Sequence, residues 1–162
     1  MKNWLLLFSL CFAFSGLLLG ADPAPVPLQS RMTAFLVEQD EEGKERLTEV
    51  SQVKPGQLIE YALEYSNVSD RDLTEVSIIG PIPGGTQYIA DSAQPSKNAI
   101  PEFSIDNAVT FHPEPVKYKV RLPDGSEEEK IATADMYTQI RWELSSMNAG
   151  EKLTLKYRVQ VR

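Results

Sequence analysis

Leu153-Thr154-Leu155-Lys156-Tyr157-Arg158-Val159-Gln160-Val161-Arg162 alternates without a break, with Leu153, Leu155, Tyr157, Val159 and Val161 on one side and the polar residues on the other. Successive side chains of a strand point to opposite faces, so this stretch predicts a strand of an antiparallel sheet with one face buried. The same period recurs upstream. Residues 57–67 place Ile59, Tyr61, Leu63 and Tyr65 inward and Glu60, Ala62, Glu64 and Ser66 outward, and residues 138–144 set Ile140, Trp142 and Leu144 against Gln139, Arg141 and Glu143. Shorter runs at 73–79, 86–90, 108–111 and 116–122 read as further strands. Turn chemistry separates them: Lys54-Pro55-Gly56, residues 67–70 and 81–85, Pro123-Asp124-Gly125 and Asn148-Ala149-Gly150. Short strands at this spacing predict an all-β antiparallel sandwich or barrel. Trp142 alternates with charged neighbours, which makes it a core anchor between two sheets.

Residues 31–53 are less regular. They are read as an N-terminal hairpin, 32–38 with 46–53 around the turn 40–43; the competing reading is a short helix from Ser30 to Gly43. No long helical period, heptad, internal repeat or glycine-rich phosphate loop appears. The chain has 162 residues, 42% hydrophobic and 24% charged, which suits one globular domain. Its formal charge of −7 disfavours a nucleic acid partner, because phosphate contacts need clustered cations.

Residues 1–21 read as a secretory signal peptide: Lys2 is followed by an uncharged run from Trp4 to Leu19 and then by Gly20 and Ala21. The uncharged run is shorter than the roughly 20 residues that span a hydrocarbon core, so cleavage is favoured over an anchor. Cys11 is part of this run and lacks the preceding small residue of a lipoprotein signal. Cleavage after Ala21 leaves 141 of the 162 residues, no cysteine and no disulfide. An exported fold without staples depends on its core. Residues 22–30, with Pro23, Pro25 and Pro27, read as an extended spacer, and residues 31–162 as one domain. No membrane span is expected after cleavage.

From Val53 onward the order of signals resembles the bacterial surface repeat known as domain of unknown function 11. Pro55-Gly56 with Ile59 and Tyr61 is similar to its opening turn and strand, and Tyr65 to Ser69 to its strand ending in Asn. Val76 and Ile78, Pro83 and Gly85, Tyr88, Ser92, Trp142 with Leu144, and Ala149-Gly150-Glu151 resemble its later runs and turns. Two departures stand out. Gly80 occupies a position where the family usually has Asp, and residues 103–135 exceed the usual connection, with 116–122 suggesting an added hairpin. The resemblance implies an immunoglobulin-like sandwich in a periplasmic, cell-surface or extracellular envelope protein, without enzymatic activity, acting through protein contacts.

No residue set selects itself as catalytic, cofactor-binding or metal-binding. His112 lies in Phe111-His112-Pro113-Glu114-Pro115 and has no second His or Cys to make a metal or acid–base pair. Serine-hydrolase chemistry lacks its Gly-x-Ser-x-Gly elbow, and the many carboxylates single out no acid–base pair. The acidic runs 38–42 and 127–129, and the set Asn67, Asp70 and Asp72, raise a calcium- or small-ligand-binding module as the alternative function, although none has the Asp/Asn alternation with Gly of an ordered calcium loop. Asn67-Val68-Ser69 matches a glycosylation acceptor but reads as a turn. Two outward rows, Lys117, Lys119 and Arg121, and Lys156, Arg158 and Arg162, read as charge that guards edge strands.

Overall fold

The computed structural model describes residues 26–96 and 99–162. The signal-peptide reading and residues 22–25 of the spacer therefore lie outside the described residues. Eleven strands follow in order: β1 (Leu28–Gln39), β2 (Glu45–Glu49), β3 (Leu58–Asn67), β4 (Leu73–Pro81), β5 (Thr86–Tyr88), β6 (Glu102–Ser104), β7 (His112–Pro113), β8 (Lys117–Arg121), β9 (Glu127–Ile131), β10 (Gln139–Met147) and β11 (Lys152–Val161). One 3-10 turn, Ala134–Met136, precedes β10. The strands form an all-β antiparallel sandwich. One sheet has the order β2-β1-β3-β11-β5, the other β4-β10-β6-β7, and β8 and β9 form a separate ribbon.

The alternation of β11 and β10 becomes the core directly. Tyr157, Val159, Trp142 and Ile140 are fully buried, and the Trp142 and Tyr157 rings lie 6.3 Å apart between the sheets. Tyr88, Phe103 and Tyr137 close one end as an aromatic cluster, with Phe103 and Tyr137 stacked at 4.7 Å and Tyr88 4.9 Å from Phe103. Polar tips stay satisfied: Trp142 Nε1 donates to Gln94 O, Tyr157 Oη donates to Pro81 O, and Tyr88 Oη accepts from Ala93 N. Burial pushes the Tyr157 hydroxyl well above the usual phenol range.

The N-terminal hairpin forms, with Phe35 opposite Glu49 and Gln39 opposite Glu45, so the helix alternative is excluded. It differs in its limits. β1 starts at Leu28, inside the stretch assigned to the spacer, because residues 28–37 pair along the whole of β3. β2 stops at Glu49, four residues early, and β5 stops at Tyr88. Asp40 shapes the hairpin turn by accepting from Glu42 N and Lys44 N.

Residues 108–111 are not a strand. Asp106 accepts from Thr110 N and Oγ1 and from Ser104 Oγ, and Asn107 and Ala108 take positive φ, so side chains hold this segment as a loop. The strands there are β6 and the two-residue β7. Within residues 103–135 the hairpin expected around 116–122 forms, as β8 with β9. Glu60 and Ala62, assigned to solvent, are buried, because β3 is a central strand whose outer face is covered by neighbouring side chains.

Gly80 has a packing role. A Cβ there would stand 2.8 Å from Tyr157 Cε1 and 3.1 Å from Ile140 Cγ2. The absent side chain lets the Tyr157 ring lie against β4. Gly80→Ala is therefore expected to lower stability by about 1–3 kcal/mol in a denaturant melt, whereas Gly84→Ala, with open space around it, leaves the midpoint within error. Equal midpoints for the two variants would refute the contact.

Candidate functional site

Several of the polar groups singled out in the sequence are engaged in structure. Asn67, fully buried, donates from Nδ2 to Arg71 O at 2.8 Å, Met147 O at 3.1 Å and Asn148 O at 2.9 Å, while Oδ1 accepts from Ser69 N and Oγ. It locks the β3–β4 loop onto the β10–β11 turn, and its amide has no room for a glycan. Asp72 accepts from Ala149 N at the same junction. His112 is exposed and pairs with Phe103 through the β6–β7 ladder. Glu127 and Glu129 bond Lys119 and Lys117, each at 2.9 Å. Among the described residues, no cluster of His, Cys, Asp and Glu could hold a metal ion, and no helix is long and apolar enough to cross a membrane.

One ionic group is built into the sheet. Glu60 is the buried charged residue among those described, and its carboxylate takes Lys156 Nζ at 2.9 Å and Arg158 Nε at 2.9 Å. Arg158 also makes a bidentate pair with Glu45, at 2.8 and 2.7 Å, and this guanidinium holds the Glu45 carboxyl below its ordinary value. The pair reaches from β11 over β3 and β1 to the first residue of β2, so it pins the N-terminal hairpin to the sandwich. On the other sheet Arg141 bonds Glu102 and lies 4.3 Å over the Phe111 ring. Every buried side-chain N or O among the described residues has a hydrogen-bond partner. These groups hold neighbouring strands together.

What the larger sheet leaves unspent is backbone. Hydrogen bonds alternate sides along a strand. In β11 the odd residues face β3, since Glu151 O accepts from Asn67 N and Val161 N donates to Gln57 O. The even residues face the other way. Gln160 meets β5, Arg158 O accepts from Ile89 N, and Arg158 N donates to Ser92 Oγ, a hydroxyl that ends the ladder where β5 has turned away. Beyond it the N–H and C=O groups of Lys156, Thr154 and Lys152 have no backbone partner among the described residues.

The same happens on β1. Val68 N donates to Pro27 O and Val50 N to Ala34 O, so the even residues face away from β3, and below Val50 the groups of Leu28, Ser30 and Met32 have no backbone partner among the described residues. Both β2 and β5 sit at the Val37 and Val161 end. At the Lys152 end the sheet is only three strands wide, and its outer face carries an open trough of about 370 Å³ lined by Gln29, Arg31, Glu64, Ser66, Lys152 and Thr154.

β11 is thus not an edge along its whole length, and its cations do not form a guarding row. Lys156 and Arg158 are committed to Glu60 and Glu45, and Arg162 donates to Thr86 O and Asp135 O. Lys152 has no ion-pair partner among the described residues. The open edges escaped the sequence reading because they follow from the stagger of β2 and β5 against their neighbours, which local alternation does not encode.

No family model, no curated protein and no solved structure matches the chain.

Hydrogen bonds from Thr110 N and Oγ1 and from Ser104 Oγ hold the Asp106 carboxyl down to about 2, against an ordinary 3.8. A carboxylate lowered on folding contributes stability that is complete above the unfolded pKa and is lost as pH falls through the folded one. Asp106→Asn should therefore reduce the drop in melting temperature between about pH 4 and pH 2, a window set by this shift. An unchanged acid limb in the variant would show that the loop does not depend on the ionised form.

Proposed function

We propose that the chain is an exported, non-enzymatic β-sandwich module of the bacterial envelope that works through protein contacts, and that the open β11 edge is where a partner binds. Export follows from the leader-like residues 1–21, and the envelope from the resemblance to domain of unknown function 11. The carrying observation is the run of backbone groups at Lys152, Thr154 and Lys156 that have no backbone partner among the described residues. An exposed edge of this kind is a template for strand addition, in which main-chain bonds supply affinity and alternating side chains supply selectivity. The edge presents Lys152, Thr154 and Lys156 on its outer face and Leu153 and Leu155 on its inner face. A partner strand with an acidic residue opposite Lys152 and apolar residues beside Leu153 and Leu155 matches both rows.

Thr154→Pro tests this reading. The Thr154 N–H points away from β3, so proline there removes no bond inside the sheet while blocking an added strand. Capture from a bacterial envelope extract should recover a protein with the unmodified chain and lose it with Thr154→Pro at equal thermal stability. Identical recovery by both chains, or recovery by neither, overturns the assignment.

A further inference from the structure

The edges of the sandwich are not equally available. β4 carries Glu75 at φ 53°, where its register with β10 skips a residue, and ends in Pro81, which has no N–H. β7 has two residues, one of them Pro113. On β5 the Arg162 guanidinium already occupies Thr86 O. The β8–β9 ribbon carries its own Lys–Glu ladder, and β2 is exposed throughout and bears Glu45, Arg46 and Glu49. β1 differs. From Gln29 to Met32 four successive residues are exposed, no ion pair engages Arg31 among those described, and Met32 is 42% exposed on the apolar face. Val50, bonded to Ala34 O, sets one limit of the free run, and the start of the strand at Leu28 after Pro27 sets the other.

That run is complementary to itself. Its outward backbone groups belong to Leu28, Ser30 and Met32, a set symmetric about Ser30. If two such edges meet antiparallel, Ser30 stands opposite Ser30, and Leu28 stands opposite Met32 of the second copy on the inner face. On the outer face Gln29 stands opposite Arg31 of the second copy. Apolar meets apolar, polar meets polar, and no like charges oppose, although the chain as a whole carries −7. We propose that a second copy of this chain occupies the β1 edge, pairing residues 28–32 about a two-fold axis at Ser30 so that the larger sheets of two molecules become continuous.

The contact supplies about six backbone hydrogen bonds and a small apolar area, which places it among weak, concentration-dependent dimers. It shares the open-edge geometry of the proposed function but uses the opposite side of the sheet, so each stands or falls with its own variant.

Sedimentation of the full chain carrying Cys11→Ser across a concentration series is the test. A reversible monomer–dimer equilibrium is expected, with loss of the dimer in Ser30→Pro, whose missing N–H faces only the free edge. Ser30→Lys, which sets like charges face to face, should abolish it as well, and this variant decides the matter if the proline variant does not fold. Directly opposed, hydrogen-bonded strand residues have Cα atoms about 5.5 Å apart, within disulfide reach, so Ser30→Cys should cross-link on mild oxidation far faster than Ser126→Cys on the ribbon turn. A chain that stays monomeric throughout overturns the proposal. So does a dimer that survives Ser30→Lys, or one in which both cysteines cross-link at the same rate. A Thr154-dependent partner that persists after Ser30→Lys leaves the proposed function intact while the dimer fails.

Discussion

A strand can be buried on its faces by side chains, but its backbone N–H and C=O groups are satisfied only by a neighbouring strand, a well-placed polar side chain or water. That constraint organises the molecule. β3 and β11 can carry Tyr157, Val159, Ile59 and Leu63 into a dry core because their shared ladder runs unbroken from Leu58 opposite Gln160 to Ser66 opposite Lys152. Where the ladder has no further strand, the chain substitutes side chains. Ser92 Oγ accepts the Arg158 N–H, and Asn67 Nδ2 donates to Met147 O and Asn148 O at the β10–β11 turn and to Arg71 O in the β3–β4 loop. At one end of the larger sheet neither is supplied by the described residues.

Charged groups follow the same logic. Glu60 stays buried because Lys156 and Arg158 reach it from the neighbouring strand, and Arg158 carries the tie on to Glu45. Removing one member of such a set would strand a charge beside the sheet, so the set holds the hairpin in one place rather than adding much net stability. The chemistry of these residues is that of fastening. Asn67, Asp72 and Asp106 lock turns and loops, and Glu127 and Glu129 tie strands together.

Legibility tracked how local the cause was. β10 and β11 were readable residue by residue because one apolar row faces the opposite sheet. β3 was readable on its inner face only: its outer face is covered by side chains of other strands, so Glu60 and Ala62 look solvent-bound in sequence. Residues 108–111 carried apolar residues in a strand-like run, but the Asp106 and Ser104 side chains bond that backbone and win over its propensity. Gly80 looked like a departure from a pattern until Tyr157 was placed against it. The open edges were not readable at all, since they depend on how far β2 and β5 extend along their neighbours.

Amide hydrogen exchange resolved by residue tests the central claim most directly, because it reads which way each backbone group faces. Along β11 the amides of Leu153, Leu155 and Tyr157, which face β3, should be protected, while those of Thr154 and Lys156 between them exchange quickly. Uniform protection across residues 153–157 would mean that a strand already covers that edge, and the account of how this molecule meets its partners would be wrong.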